Sequence, residues 1–220
     1  MRLFSSTPIA AALVAALLTV SAVPAVAGPA DISKVVGNTS VAANSHSGDI
    51  SNVNGSIRLQ QQSRTGKLTT VNGSITLAQQ VSIEQAETVN GSIRGESHLQ
   101  VARGLSTVNG SISLSEHSDI GGNISTVNGA INVDNSQVKG AISTLNGNIS
   151  LTGDSHIGGD IVFKAKQKRK SWFGRDTSTP PTLTIAAGVK LDGKIILDQE
   201  VTLQLANPAL QQQVEIRYGK

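Results

Sequence analysis

The sequence predicts an all-β, single-domain parallel β-helix, a solenoid of about nine coils of 18–19 residues. Three observations predict this fold class. The motif Val-Asn-Gly-Ser-Ile, or a close variant, occurs six times at intervals of 18 or 19 residues. Apolar and polar residues alternate around each copy, which is typical of short strands. Aromatic residues make up only 2% of the chain, so the core must consist of Val, Ile and Leu, which favour strands.

Each copy of the motif predicts one corner of a coil. The copies begin at Val53, Val71, Val89, Val108, Val127 and Leu145. In the coil that begins at Val127, apolar residues follow 4, 6, 11 and 15 positions after this Val. A spacing of two indicates a strand, and the spacing of four across Asn-Gly indicates a bend where both residues tolerate positive φ. We therefore expect the Val and Ile of the motif inside and the Asn at the bend.

Asn-Gly is also typical of a hairpin turn, but an antiparallel meander need not keep one fixed turn in every 18 residues. Coils of two or three short strands that stack in parallel explain the period better. Left-handed hexapeptide solenoids share the length of the coil but not the spacing of the aliphatic residues. We expect a right-handed helix because parallel crossovers are usually right-handed.

The repeat extends beyond the six obvious copies. Residues 35–41 keep its outline and predict a degenerate first coil. Residues 149–163 match residues 183–197 without a gap, so residues 164–182 form an arm inserted at an Asn-Gly corner, in place of three residues. We expect Phe163 and Leu197 at offset 0, Val201 and Leu203 at offsets 4 and 6, and a closing strand near Val214.

Residues 1–27 are predicted to be a secretory signal peptide, with Arg2 before an apolar run and Ala25-Val26-Ala27 before the cut. The alternative, a membrane anchor, requires ~20 apolar residues, and this run is shorter. The β-helix domain then covers residues 28–220, without a transmembrane segment, and is periplasmic or secreted. The chain has no Cys, which excludes disulfides and thiolate metal sites.

Two polar columns should run along the solenoid next to the motif. The amides can bond from coil to coil as a structural Asn ladder, or form a row that binds a ligand. The ladder residues are Asn54, Asn72, Asn90, Asn109, Asn128 and Asn146. The second column, with Ala130 and Asn148 as its last members, is an outer corner of small residues or a support for ordered water. Its Ser members are Ser56, Ser74, Ser92 and Ser111.

Nothing in the sequence indicates a metal site, a cofactor or a catalytic residue. His98 and His117 share one offset and should stack, but no third ligand falls in their column. Polysaccharide lyases and glycosidases need clustered carboxylates, whereas here Asp and Glu are scattered in offset and in coil. We therefore expect that the protein is not an enzyme.

The arm is the most distinctive segment outside the repeat. It supplies the candidate binding residues, Lys164, Lys166, Lys168, Arg169, Lys170, Trp172, Phe173 and Arg175. The chain has a net charge of +3, Arg2 lies in the signal peptide and the arm contributes +5, which leaves −3 for the rest of the mature chain. Basic residues beside an aromatic pair suit an anionic polymer or surface. Alternatively, Trp172 and Phe173 fold back on the solenoid as a clasp.

Repeated Val-Asn-Gly-x-Ile coils over residues 35–163, after a signal peptide, resemble the bacterial adhesin-type β-helix families, including the head-domain type of auto-transporter adhesin. The Ser-Trp-Phe stretch at 171–173, followed by Pro180, Pro181 and a last coil, is also similar to members of this group. The resemblance implies a β-helix without an established activity, catalytic residue or cofactor. A weaker similarity is to bactofilins, cytoplasmic solenoids that polymerise end to end.

These observations leave three function hypotheses. The first is an exported, non-enzymatic adhesion or cell-envelope interaction module that binds an anionic polymer or surface through its arm. The second is a structural polymer formed by self-association of the end coils. The third is a carbohydrate-active enzyme. The small net charge and the predicted export argue against a nucleic-acid partner.

Overall fold

The computed structural model describes residues 29–165 and 179–219. They form a parallel β-solenoid of about nine turns, as the period predicts. Each regular coil runs along three faces in turn. Face A ends at the Asn of the motif, face B follows the Asn-Gly corner, and face C leads back to face A of the next coil. The prediction of signal residues 1–27 lies outside the described part of the chain.

The strands are short and occupy equivalent positions from coil to coil. Face A contains Ile32–Val36, Ile50–Asn54, Arg64–Asn72, Ser82–Asn90, Leu105–Asn109, Ile124–Asn128, Ile142–Thr144, Ile161–Phe163, Ile195–Leu197 and Val214–Ile216. Face B contains Thr39–Val41, Ile57–Leu59, Ile75–Leu77, Ile93–Gly95, Ile112–Leu114, Ile131–Asp134, Ile149–Thr152, Thr182–Ile185 and Thr202–Leu205. Face C contains Gln100–Val101, Asp119–Ile120, Gln137–Val138, His156–Ile157 and Lys190–Leu191.

All strand pairs are parallel and join one coil to the next in register. On face B, for example, Ile112 lies opposite Ile93 and Ile131. Two nine-residue strands, Arg64–Asn72 and Ser82–Asn90, run through faces C and A without a break, so these two faces form one 15-stranded sheet. Face B is a separate nine-stranded sheet.

Aliphatic side chains stacked along the axis form a single core. The Ile that follows each Asn-Gly corner is fully buried, at Ile57, Ile75, Ile93, Ile112, Ile131 and Ile149. Burial of each such side chain contributes about 1.5–3 kcal/mol relative to exposure. Stability therefore comes from many equivalent contacts between neighbouring coils.

The predicted position of the Val in the motif is wrong. Val53, Val71, Val89, Val108 and Val127 are only half-buried and lie on the outer side of face A. The preceding residue points inward instead, and it is Thr in the five coils from Thr70 to Thr144. The corner changes the alternation, so Val and the buried Ile four residues later lie on opposite sides of the backbone.

The predicted role of the corner glycine is also wrong for most coils. A Cβ on Gly55, Gly73, Gly91, Gly110, Gly129 or Gly147 would lie 1.9–2.1 Å from the carbonyl oxygen of the preceding corner glycine. Close stacking of the backbones therefore requires glycine here, and Gly129 alone among these six has a positive φ. The left-handed bend lies instead between faces B and C, where φ is 40–60° at Asn44, Gln62, Gln80, His98, His117 and Asn135.

The insertion of an arm at an Asn-Gly corner is confirmed by the register on both sides of it. Ile149 pairs with Leu183, and Phe163 pairs with Leu197, as predicted. Phe163 also pairs with Thr144, so it occupies the inward position rather than the position of the half-buried Val. The arm thus replaces four residues, not three.

The last coils follow a different register from the predicted one. Leu203 and Leu205, rather than Val201 and Leu203, pair with Leu183 and Ile185. The corner before Leu203 is one residue longer than in the preceding coils. Leu197 occupies the position in the repeat just before the predicted one, equivalent to Thr144. The closing strand Val214–Ile216 is confirmed.

The two ends of the solenoid differ. In the degenerate first coil, Val35 and Val36 are 70% and 75% exposed. In the last coil, the 3-10 helix Pro208–Gln213 replaces the strand of face C and contributes Leu210 to the core. In the described ranges, no helix is long and apolar enough to cross a membrane.

Candidate binding site at the arm corner

The predicted Asn ladder is confirmed. The side-chain amide of each Asn from Asn72 to Asn146 donates to the amide oxygen of the Asn one coil earlier, at 2.8–2.9 Å. The side chains are exposed, and the five bonds all have the same direction. Among the described residues, the ladder therefore begins at Asn54 and ends at Asn146, whose oxygen receives no amide from a further coil there.

A buried Thr ladder runs beside it, which the sequence interpretation missed. The hydroxyls of Thr70, Thr88, Thr107 and Thr126 each donate to the carbonyl oxygen of the corner glycine one coil earlier, at 2.9–3.1 Å. Near the first coil, the buried Asn52 takes the same position and accepts a bond from Thr39. The repeated Thr before Val-Asn-Gly was the available signal.

The Ser column satisfies the backbone. Ser56, Ser74, Ser92 and Ser111 each accept, at 3.2–3.3 Å, from the N–H of the equivalent residue in the next coil. Of the two predicted roles, a structural corner of small residues therefore accounts for these hydroxyls. A hydroxyl in this column occupies one backbone donor that would otherwise face solvent.

All three columns change where the arm enters. We call this region the arm corner, defined as residues 145–148 with the described arm ends, residues 164–165 and 179–182. The fully buried Thr144 hydroxyl has no hydrogen-bond partner among the described residues. Ala130 has no hydroxyl to offer the N–H of Asn148. The contact of the Ser column is therefore missing between Ala130 and Asn148, and it resumes with the side chain of Asn148, which accepts from the N–H of Thr182.

An open cleft of about 570 Å³ lies at this corner. The described residues of its lining include no charged side chain; they are Gly129, Ala130, Asn146, Gly147, Asn148, Thr179, Pro180, Pro181 and Thr182. The lining combines the exposed side chains of Asn146 and Asn148 with the half-buried Pro180. Such a surface suits a neutral group with hydroxyls rather than an ion.

The base of the arm is fixed to the solenoid. The N–H of Lys164 donates to the carbonyl of Thr144 at 2.9 Å, and the N–H of Thr182 donates to the Asn148 side-chain oxygen at 2.8 Å. The side chain of Gln199 donates to the carbonyls of Leu145 and Lys164, which holds the two corners together. The arm therefore begins and ends at defined points on a rigid scaffold.

Only one of the candidate arm residues lies in the described part of the chain. Lys164 is exposed at the base of the arm. Lys166, Lys168, Arg169, Lys170, Trp172, Phe173 and Arg175 lie outside the described residues. The choice between a binding arm and a clasp stays a prediction.

The histidines and carboxylates are mostly on the surface. His98 and His117 stack as predicted, with ring centroids 5.1 Å apart. His156 contacts Asp192 at 2.8 Å. Across residues 29–165 and 179–219, no group of three or more His, Asp or Glu side chains is arranged to hold a metal ion.

The last strand carries the clearest electrostatic perturbation. Hydrogen bonds from Arg217 and then Lys194 lower the pKa of the Glu215 carboxyl, and the same contact raises the pKa of Arg217. These groups are exposed and lie at the end of the solenoid, two coils after the strand Ile161–Phe163 that leads into the arm. They stabilise the end of the solenoid rather than form a site.

Comparison of the chain with protein-family models, with curated proteins and with solved structures gave no match.

Proposed function

We propose that this chain is an exported, non-enzymatic β-solenoid that acts as an adhesion or cell-envelope interaction module. Its basic, Trp-containing arm is the contact for an anionic envelope polymer, in the periplasm or outside the cell. The observation that carries the proposal is the concentration of charge. The arm has a net charge of +5, whereas the rest of the mature chain has −3.

The structure of the scaffold supports this proposal. The strands on both sides of the insertion keep their register, and the base is held by backbone bonds and by Gln199. Binding segments are commonly loops positioned by a rigid scaffold. A basic loop at one corner of a long polar surface can meet a polymer while the remaining corners stay free.

The proposal is tested by binding to polygalacturonate, an anionic polysaccharide, with dextran as the neutral control. In one variant, Leu-Asn-Gly-Asn, the sequence of residues 145–148, replaces residues 164–182. In a second variant, Lys168→Gln and Lys170→Gln remove two charges from the arm. Lys34→Gln and Lys190→Gln form the matched control, because they remove two exposed charges from the solenoid itself.

We expect salt-sensitive binding of the wild type to polygalacturonate and much weaker, salt-insensitive binding to dextran. Loss of the arm should abolish this binding, and loss of Lys168 and Lys170 should weaken it about tenfold or more at low salt. The matched control should bind within about twofold of the wild type. Unchanged binding without the arm would show that the arm is not the contact.

End-to-end assembly is the second candidate, and the exposed first coil favours it. Val35 and Val36 lie on an uncovered strand. The other end offers a poorer partner, because a 3-10 helix replaces the strand of face C in the last coil. Electron microscopy at high protein concentration tests assembly, and monomers alone would contradict it.

A further inference from the structure

We propose that the cleft at the arm corner binds the hydroxyl groups of a sugar ring. The inference rests on the proposed function and deepens it. The arm provides charge, and the cleft selects a polysaccharide among anionic polymers.

The end of the Asn ladder supplies the first polar groups. Asn146 donates one amide hydrogen to Asn128 at 2.9 Å and, in the part of the chain that the structure describes, receives no amide from the next coil, because the arm replaces the next Asn. In the interior of the ladder, the same oxygen accepts from a neighbouring Asn. Within the described residues, Asn146 therefore has an acceptor without a partner, and the residue lines the cleft.

Asn148 supplies the complementary group. It occupies the Ser column, and its side-chain oxygen accepts from the N–H of Thr182 at 2.8 Å. This contact uses the oxygen and orients the side chain, so its two amide hydrogens are the groups left to donate. Sugar hydroxyls both donate and accept, and an acceptor next to a donor matches two adjacent hydroxyls.

The rest of the lining fits a sugar ring and does not fit an ion. No side chain among the described lining residues is charged, and the half-buried Pro180 contributes apolar ring surface. The cleft is open and has a volume of about 570 Å³, which is within the range of sites for small ligands. A ring with polar edges and apolar C–H faces satisfies both sides.

The test compares two anionic polymers that differ in hydroxyls. Polygalacturonate has carboxylates and ring hydroxyls, whereas polyglutamate has carboxylates and backbone amides but no hydroxyls. The variants are Asn146→Ala, Asn148→Ser and the double variant, and the matched control is Asn132→Ala, an exposed Asn outside the cleft. Urea denaturation of each variant verifies that the solenoid is intact.

We expect the wild type to bind polygalacturonate about tenfold more tightly than polyglutamate, because one or two hydrogen bonds are gained. The double variant should lose this preference and keep the affinity for polyglutamate. Asn132→Ala should change neither. Asn148→Ser keeps a small polar group in the Ser column, so it tests the amide without opening the corner.

The outcomes separate the two proposals. If the wild type prefers polygalacturonate and the intact double variant retains that preference, the cleft is not the sugar site. The proposal that the basic arm contacts the anionic polymer is then unaffected. If the wild type binds both polymers equally, the sugar inference is overturned, whereas the proposal that the arm is the contact is unaffected. If it binds neither polymer, both proposals fail.

Discussion

The regular Asn-Gly corners and the arm corner have almost the same backbone spacing but different polar partners. From Asn54 to Asn128, each corner has an amide bonded on one side or on both, and in the coils from Thr70 to Thr126 a buried Thr bonds to the glycine carbonyl one coil earlier. At the arm corner, the glycine still approaches its neighbour closely, but Thr144 has no partner among the described residues.

This difference shows that two separate requirements act on the motif. Close stacking requires glycine in every coil, including the coil next to the insertion. The polar columns are less strict, because Thr144 has no partner among the described residues and Ala130 has no hydroxyl. The coils on both sides of the arm nevertheless keep their register.

The largest expected effect on stability tests the close stacking of glycine, which the regular corners and the arm corner share. Gly91→Ala should destabilise the protein by about 3 kcal/mol or more, because its Cβ would lie 2.0 Å from the backbone oxygen of Gly73, which cannot move alone. Gly147→Ala should cost a similar amount. Urea denaturation measures both.

Gly158→Ala is the control, because the nearest atom to its Cβ would be 2.8 Å away at an outward corner. It should cost about 1 kcal/mol. Equal costs for Gly91→Ala and Gly158→Ala would contradict the close-stacking role.

The second prediction compares the buried Thr of a regular corner with the buried Thr before the arm corner. Thr107→Val should cost about 1–2 kcal/mol, because it leaves the Gly91 carbonyl without the 2.9 Å bond from a buried hydroxyl. Thr144→Val removes a buried hydroxyl that has no partner in the described structure, so it should be neutral or stabilising. The two free energies of unfolding are compared directly.

Thr107→Ser retains the hydroxyl and serves as the control for the loss of the bond. A Thr144→Val cost as large as that of Thr107→Val would mean that the hydroxyl of Thr144 has a partner beyond the described residues.

A smaller difference is expected along the Asn ladder. Asn109→Ala removes two exposed amide bonds and should cost about 1 kcal/mol, whereas Asn146→Ala removes one bond and should cost about half as much. Thermal and urea midpoints measure both variants. Asn132→Ala, outside the ladder, should have a smaller effect than either, and a ranking with Asn146→Ala first would contradict the ladder.

The smallest expected effect is a gain in the free energy of unfolding. Ala130→Ser would restore an acceptor in the Ser column for the N–H of Asn148 and should stabilise the protein by about 0.5 kcal/mol. Ser92→Ala, which removes the 3.2 Å bond to the N–H of Ser111, should cost about as much. Hydrogen exchange of the amides of Ser111 and Asn148 should change in opposite directions, and a loss of protection at Asn148 in Ala130→Ser would contradict the assignment.

The fold and the main ladder could be predicted because both depend on the period alone. A constant repeat places equivalent residues in contact, so the Asn side chains stack in one column regardless of the local conformation. The arm could be located because residues 183–197 resume the pattern of residues 149–163. Neither inference required knowledge of which side chains point inward.

The direction of the side chains could not be predicted, because hydrophobicity and hydrogen bonding favour different residues at the corner. Val is more apolar than Thr, yet Thr107 is buried since its hydroxyl satisfies a glycine carbonyl. Glycine has two uses, positive φ and close approach, and the residue name does not distinguish them. The left-handed bend between faces B and C gave no typical turn signal, because Gln or His occupies it in four coils, at Gln62, Gln80, His98 and His117.

The uniform direction of the Asn ladder has an electrostatic consequence. In all five bonds the amide hydrogens point toward the N-terminal coil, so the side-chain dipoles add along the solenoid. Hydrogen bonds in such a chain also polarise one another. The negative pole of this row falls on the oxygen of Asn146, at the corner from which the arm leaves.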